Sequence, residues 1–318
     1  MAREYLVLLA ATLVWGSVHP TVKFALAELT SLQLAFLRPF CACLVLTALV
    51  LVTGRGPKMI DELRAAPGTL VALGLLGYAA SGTFTSLALN LLPAGVTSLV
   101  ANASPLLVVL GSLLIFRQRL AILQIVGAVV GFGGLALLSL GDLQTSGDVR
   151  ATVLGSLFAL ASAACWAIYT AIARRLGRAD PLATTAITSF IGATAVAVVA
   201  LPTQDWSRLA HASAPVWAAT LWAGAIATGG TYAGWSFALR RLPAVAVAPF
   251  AYLIPVSALT ISHAWLGEPW TAPVVVGAAL VLLGVGLTQA RQLRLLWRAR
   301  PSGAGLPVTR DQTDQQGA

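Results

Sequence analysis

"LPAGVTSLVANASPLLVVLGSLLIFRQRLAILQIVGAVVGFGG", Leu92 to Gly134, and "LPAVAVAPFAYLIPVSALTISHAWLGEPWTAPVVVGAALVLLG", Leu242 to Gly284, align without a gap. Leu92, Pro93 and Ala94 fall on Leu242, Pro243 and Ala244; Pro105 falls on Pro255, Gly127 on Gly277 and Gly134 on Gly284. The basic residues do not follow this register. Arg117 and Arg119 fall on Gly267 and Pro269, whereas Arg240 and Arg241 fall on Asn90 and Leu91. A repeat that keeps its apolar, proline and glycine framework while exchanging its cations places its two copies in opposite orientations across a membrane.

Outward from this pair the chain reads as a series of apolar runs: 5–24, 31–53, 69–91, 94–116, 121–140, 151–173, 181–201, 215–238, 244–266 and 271–290. Each has about the 20 residues that a helix needs to cross a hydrocarbon core, and none shows the alternation of a membrane strand. The chain is 58% hydrophobic and 10% charged, too few charges to cover a soluble fold of 318 residues. With the N-terminus inside, 16 of the 20 Lys and Arg fall in inner segments and two, Arg150 and Arg208, in outer ones; Lys23 and Arg38 lie in or at the edge of spans. That asymmetry orients the chain and explains the net charge of +9 without nucleic acid. The first run lacks a small-residue cleavage site and reads as a retained span. Cys41, Cys43 and Cys165 have no disulfide or metal spacing.

The expected fold is all-α and integral to the membrane: ten transmembrane helices as two inverted five-helix repeats, 1–143 and 144–290. A basic amphipathic segment and disordered cytoplasmic tail, 291–318, would follow. "WGSVHPTVKFAL" in span 1, "LAFLRPF" in span 2, and the paired span 4–5 and 9–10 segments quoted above resemble the EamA family of the drug/metabolite transporter superfamily. The resemblance covers about residues 5 to 290. It implies a multi-pass carrier of the bacterial inner membrane that exports amino acids, related metabolites or drugs; the Lys and Arg asymmetry puts both termini in the cytoplasm. The chain departs from the family pattern at Gln118, where an acidic residue is common; the second half keeps it as Glu268.

In inverted-repeat carriers the substrate sits at the repeat interface near the midplane, so polar and aromatic residues inside spans are the candidates. Trp15, His19 and Lys23 form one slanted stripe on span 1. Lys23 either faces the path or snorkels to the outer surface. Arg38 lies seven residues into span 2, roughly 10 Å deep at 1.5 Å per residue, where snorkelling is harder. With Lys23 it would make an outer vestibule positive and hold a substrate carboxylate, and His19 would add a hydrogen bond. Ser81 and Thr85 share a face of span 3; Trp166, Tyr169 and Thr170 one of span 6; Tyr232 and Trp235 one of span 8. Asn102 and Tyr252 are repeat partners, each three residues before a mid-span proline. For all the aromatic residues, packing is the competing role. Pro20, Pro105 and Pro255 are candidate gating hinges, or static kinks. The Gly127/Gly131 pair would dimerise two chains or pack helices within one bundle, so monomer and homodimer both stay open.

The 11 carboxylates all read as lying at span ends, in connectors or in the tail. That argues against a large lipophilic cation as cargo and for a neutral, zwitterionic or anionic one, and leaves His19 as the titrating group of the outer interior. No catalytic constellation, metal site, cofactor motif or P-loop is legible. The reading is a secondary transporter working by alternating access on a small molecule, with lipid as its surroundings and no nucleic-acid partner. A channel or lipid scramblase is the alternative, and an integral-membrane enzyme a more distant one.

Overall fold

The computed structural model describes residues 2–114, 121–176, 179–232, 234–235 and 248–298. Among these residues every regular element is helical and none is a strand. Seven helices are long and apolar enough to cross a membrane: Arg3–Ala25, Ser31–Val52, Pro67–Leu91, Ile122–Ser146, Val149–Ala173, Pro181–Thr203 and Ala272–Ala290. Ala94–Leu110 and Phe250–Leu266 are shorter apolar helices. Large apolar side chains such as Ile122, Val129, Leu157, Phe190 and Val198 point outward, as lipid contact requires.

The first half comprises α1 (Ala2–Gly16), α2 (Val18–Ala25), α3 (Ser31–Val52), a connector α4 (Gly56–Ala65), and α5 (Pro67–Leu73), which passes through a π-helical segment, Gly74–Ala80, into α6 (Ser81–Leu91). It ends with α7 (Ala94–Ala101), α8 (Ser104–Leu114) and α9 (Ile122–Ser146). The second half repeats the order with α10 (Val149–Ala173), α11 (Pro181–Thr203), a short α12 (Ser207–His211) and α13 (Ala214–Leu221), which enters a second π-helical segment, Trp222–Gly230. A 3-10 turn, Ala248–Tyr252, leads to α14 (Leu253–Leu266), and α15 (Ala272–Arg298) closes the described chain.

Local chemistry sets the ends. Thr30 and Gln33 exchange hydrogen bonds in a capping box that starts α3. Asp180 caps α11 through the backbone N–H groups of Leu182 and Ala183, with Pro181 at the first helical position. Gly147 and Gly267 take positive φ where α9 and α14 stop, a conformation other residues adopt only with strain. Pro20, Pro105 and Pro255 each lie in the first turn of a helix that restarts after a break: at Ser17, at Asn102–Ala103, and at the 3-10 turn before α14. A proline lacks the N–H that would bond the carbonyl four residues back, so the preceding helix opens there. Pro39 lies inside α3, which continues through it.

Helix α3 packs on α11, its repeat partner; α3 also meets the second π-helical segment, as α11 meets the first. The tightest seam joins α9 and α15. A Cβ on Gly127 would lie 2.7 Å from the Gly284 carbonyl, and one on Gly134 would lie 2.8 Å from the Gly277 carbonyl. Gly131 faces Leu106 of the same chain, so this chain's own helices fill the Gly-x-x-x-Gly groove.

Two expectations shift. Helix α9 runs on to Ser146 and so includes Asp142, which the sequence reading placed beyond the span. The basic amphipathic segment expected from residue 291 begins as a continuation of α15, which runs to Arg298. Residues 299–318, the loops 117–120 and 239–243, and with them Gln118, Arg240 and Arg241, lie outside the described residues.

Candidate functional site

Span 1 supplies the first wall. Trp15 of α1 faces Tyr232 with ring centroids 5.0 Å apart and meets Trp235 edge-on at 5.8 Å. Tyr78 of the first π-helical segment lies 6.2 Å from the Tyr232 ring. A π-helical turn inserts an extra residue into the helix and re-aims the side chains after it. Here such segments stand at the same place in both halves, one carrying Tyr78 and the other ending just before Thr231 and Tyr232. Trp166 and Tyr169 of α10 stack at 4.7 Å, and the Tyr169 ring packs against Gly77, where a Cβ would lie 2.7 Å from its Cε2.

Arg38 brings a charge into this aromatic wall. Its guanidinium approaches Gly82 of α6, where a Cβ would lie 3.1 Å from Nη2, and the phenols of Tyr78 and Tyr232 are the polar groups that act on it. Among the described residues no carboxylate bridges it; the described ion pairs are those of Asp180 with Arg55 and Lys58. His19 is 8% exposed, and its Nδ1 is buried without a hydrogen-bond partner. Arg38 is the charge acting on it. The Tyr78 hydroxyl is reached by Tyr232, Ser189 and Thr188, yet it too makes no hydrogen bond of normal geometry. Buried polar atoms are normally paired. A guanidinium, an imidazole nitrogen and a phenol left with spare capacity in one place form a polar socket with an aromatic lining.

The other expected residues separate from this group to different degrees. Ser81 and Thr85 both hydrogen-bond Ser162, at 2.9 and 2.8 Å, tying α6 to α10. Thr170 is exposed and donates to the Trp166 carbonyl of its own helix. The Asn102 amide donates to the Ser98 carbonyl of its own helix at 2.8 Å, at the end of α7. The Tyr252 hydroxyl is buried without a partner, packed beside the α7–α9 core.

Lys23 takes neither expected place. Its ammonium donates to the carbonyls of Leu89 and Leu92, at 2.6 and 3.0 Å, at the end of α6. Two residues on, the carboxylate of Glu268 accepts from the backbone N–H groups of Ala94 and Gly95, the latter at 3.0 Å, at the start of α7. A cation at a helix C-terminus and an anion at the next helix's N-terminus each complement the local dipole, so the Leu92–Pro93 turn is clamped from both sides. Asp142 is 3% exposed and accepts a hydrogen bond of 2.6 Å from Thr152. It is a buried carboxylate that the sequence reading had denied. Asp142 and Glu268 are the acids acting on Lys23, and both line a small cavity with Pro93, Thr145 and Thr271. Among the described residues, no three His, Cys, Asp or Glu side chains could share a metal ion.

The loops are tied across the halves. Glu28 accepts from the Ser213 backbone N–H and hydroxyl, at 2.6 and 2.7 Å. These two bonds, the backbone one foremost, hold its carboxyl below the usual range. The Asp180 backbone N–H donates to Glu62, while its carboxylate pairs with Arg55 at 3.4 Å.

Sequence reasoning missed Tyr78, Thr188, Ser189 and Gly82. Tyr78 precedes Ser81 by three and Thr85 by seven, the spacing of one helical stripe, so a signal existed; the π-helical turn that aims the phenol carries none.

Comparison with known proteins agrees with this architecture. The model of the EamA-like transporter family matches residues 2–140 and again 153–289. A protein of Archaeoglobus fulgidus named an uncharacterized transporter is 26% identical over 89% of this chain and 97% of its own length. One of Streptantibioticus cattleyicolor, named "Probable terminal-alkyne amino-acid exporter", is 27% identical over 90% of this chain and 93% of its own. A solved crystal structure superposes with a TM-score of 0.64 at 23% identity, covering 91% of this chain and 98% of that one, a likeness of fold.

Proposed function

Because the chain belongs to the EamA-like transporter family, a family of multi-pass membrane transporters rather than enzymes, we propose that it is a secondary exporter of amino acids or related small metabolites that works by alternating access. In this reading ten helices form two inverted five-helix halves, 1–143 and 144–290, in a bacterial inner membrane with both termini cytoplasmic. The glycine seam supports the inversion. Gly127 meets Gly284 while Gly134 meets Gly277, and Gly127 and Gly277 are repeat partners, as are Gly134 and Gly284. Such exchanged contacts are those of a two-fold axis.

The observation that carries the reading is the shared interior. Trp15 and Tyr78 from one half meet Tyr232 from the other, Trp15 also meets Trp235, and Tyr232 acts on Arg38, which in turn acts on His19. Movement of one half against the other would open that place to one side at a time. The helix breaks before Pro20, Pro105 and Pro255 are where the spans would bend. The amino-acid part of the reading draws on the relative named as an exporter of one.

Counterflow in proteoliposomes tests it. Uptake of a labelled amino acid should be stimulated by the same unlabelled compound inside. Flux without such stimulation would favour a channel; lipid transfer between leaflets without solute exchange would favour a scramblase.

A further inference from the structure

The shared interior has an uneven charge. Among the described residues Arg38 has no ion pair, and the polar groups acting on it are the phenols of Tyr78 and Tyr232. The cation in the outer part of span 1, Lys23, is satisfied by the Leu89 and Leu92 carbonyls and compensated by Glu268 and Asp142. The acids of the loops are also engaged: Glu28 by Ser213, and Asp180 by Arg55 and Lys58. A half-buried guanidinium about 10 Å from the end of its helix, with no counter-ion among the described residues, is costly. Its cost falls when an anion arrives that presents two oxygens to its planar fork. The buried Nδ1 of His19 has no hydrogen-bond partner, and the Tyr78 hydroxyl, though reached by Tyr232, Ser189 and Thr188, makes no hydrogen bond of normal geometry. The rest of the wall is Trp15, Tyr232 and Trp235, with no acid among them to receive an ammonium.

From this we infer that the site is built for a small monocarboxylate with an apolar or aromatic body: Arg38 holds the carboxylate, the aromatic residues hold the body, and an amino group on the substrate is tolerated rather than recognised. The inference rests on the transporter reading and narrows its substrate class. An amino acid and its des-amino acid should therefore bind alike, while the matched amine, which keeps the body and loses the carboxylate, should not bind. A phosphomonoester is disfavoured, since among the described residues of this wall its second charge finds no second cation.

The test is a thermal-shift and competition series on the purified full-length protein with four matched probes: phenylalanine, 3-phenylpropionate, phenethylamine and phenyl phosphate. The two carboxylates should stabilise the protein with affinities within about threefold of each other, and the amine and phosphate at least tenfold more weakly. Arg38→Gln should abolish the carboxylate shift while keeping a monodisperse, cooperatively melting protein; Arg38→Lys, which keeps the charge but loses the fork, should retain a weakened one. The assignment is overturned if phenethylamine matches 3-phenylpropionate, if phenyl phosphate binds best, if the shift survives in Arg38→Gln, or if neither carboxylate binds the wild type. In the last case counterflow with other metabolites still tests transport by itself, so loss of the substrate class and loss of the transporter reading are distinguishable.

Discussion

Gly82 decides where the Arg38 guanidinium can lie. A Cβ there would stand 3.1 Å from Nη2, so Gly82→Ala should push the flexible end of the arginine aside without breaking α6. The expected result is normal insertion with an apparent KM for carboxylate substrates raised about tenfold, the equivalent of about 1.4 kcal/mol, read by transport assays at matched expression. Trp15, His19 and Arg38 were legible in the sequence because polar groups inside an apolar span are costly and so stand out. Tyr78 was not, since one tyrosine in "GLLGYAA" acquires its direction from the π-helical turn. Lys23 was legible as an anomaly but not in its role, because the Leu89 and Leu92 carbonyls are more than sixty residues away in sequence. At the surface, Glu28 makes a pH-dependent contribution of definite sign. Its folded carboxyl titrates below the usual value, so its stabilisation is present above the unfolded pKa of about 4.3 and is lost as the pH falls through the lower folded value. The melting temperature of the wild type should drop between roughly pH 5 and 3, and Glu28→Gln should melt lower at pH 7 with a shallower drop over that window.

Two element-scale devices can be tested separately. The first is the clamp on the α6–α7 turn. Glu268→Gln and Lys23→Met should each lower stability, Glu268→Gln by about 0.5–2 kcal/mol as for loss of a helix cap. Because both act on one turn, the double variant should depart from additivity; chemical denaturation of all four proteins reads this. The second is the seam between α9 and α15. A Cβ on Gly284 would lie 2.5 Å from the Gly127 carbonyl oxygen and the Gly131 Cα, whereas one on Gly286 meets nothing within 4 Å. Gly284→Ala should therefore cost on the order of 1–3 kcal/mol, or prevent accumulation, while Gly286→Ala is neutral; melting temperatures in detergent decide it. Apolar period and length placed most helices within a few residues. They did not place the breaks, because a proline marks the restart and the opening lies before it. They also hid Asp142, since α9 outlasts its apolar run until Gly147.

At the scale of the whole molecule, everything proposed depends on the halves crossing the membrane in opposite senses. Only then do equivalent helices meet around one interior reachable from both sides. The repeat and its exchanged arginines lead to this expectation from Leu92 and Leu242 outward, and the pairing of Gly127 with Gly284 and Gly134 with Gly277, which needed coordinates, supports it. The two connectors supply the decisive positions. Ile60 in α4 and Ala210 in α12 lie in the corresponding connectors of the two halves, and both are exposed. With Cys41, Cys43 and Cys165 replaced, single cysteines at Ile60 and at Ala210 are treated in intact cells with a membrane-impermeant maleimide. Halves inserted in opposite senses, with the N-terminus inside, give labelling at Ala210 and none at Ile60 until the cells are broken; labelling of both from outside, or of neither, would contradict that arrangement.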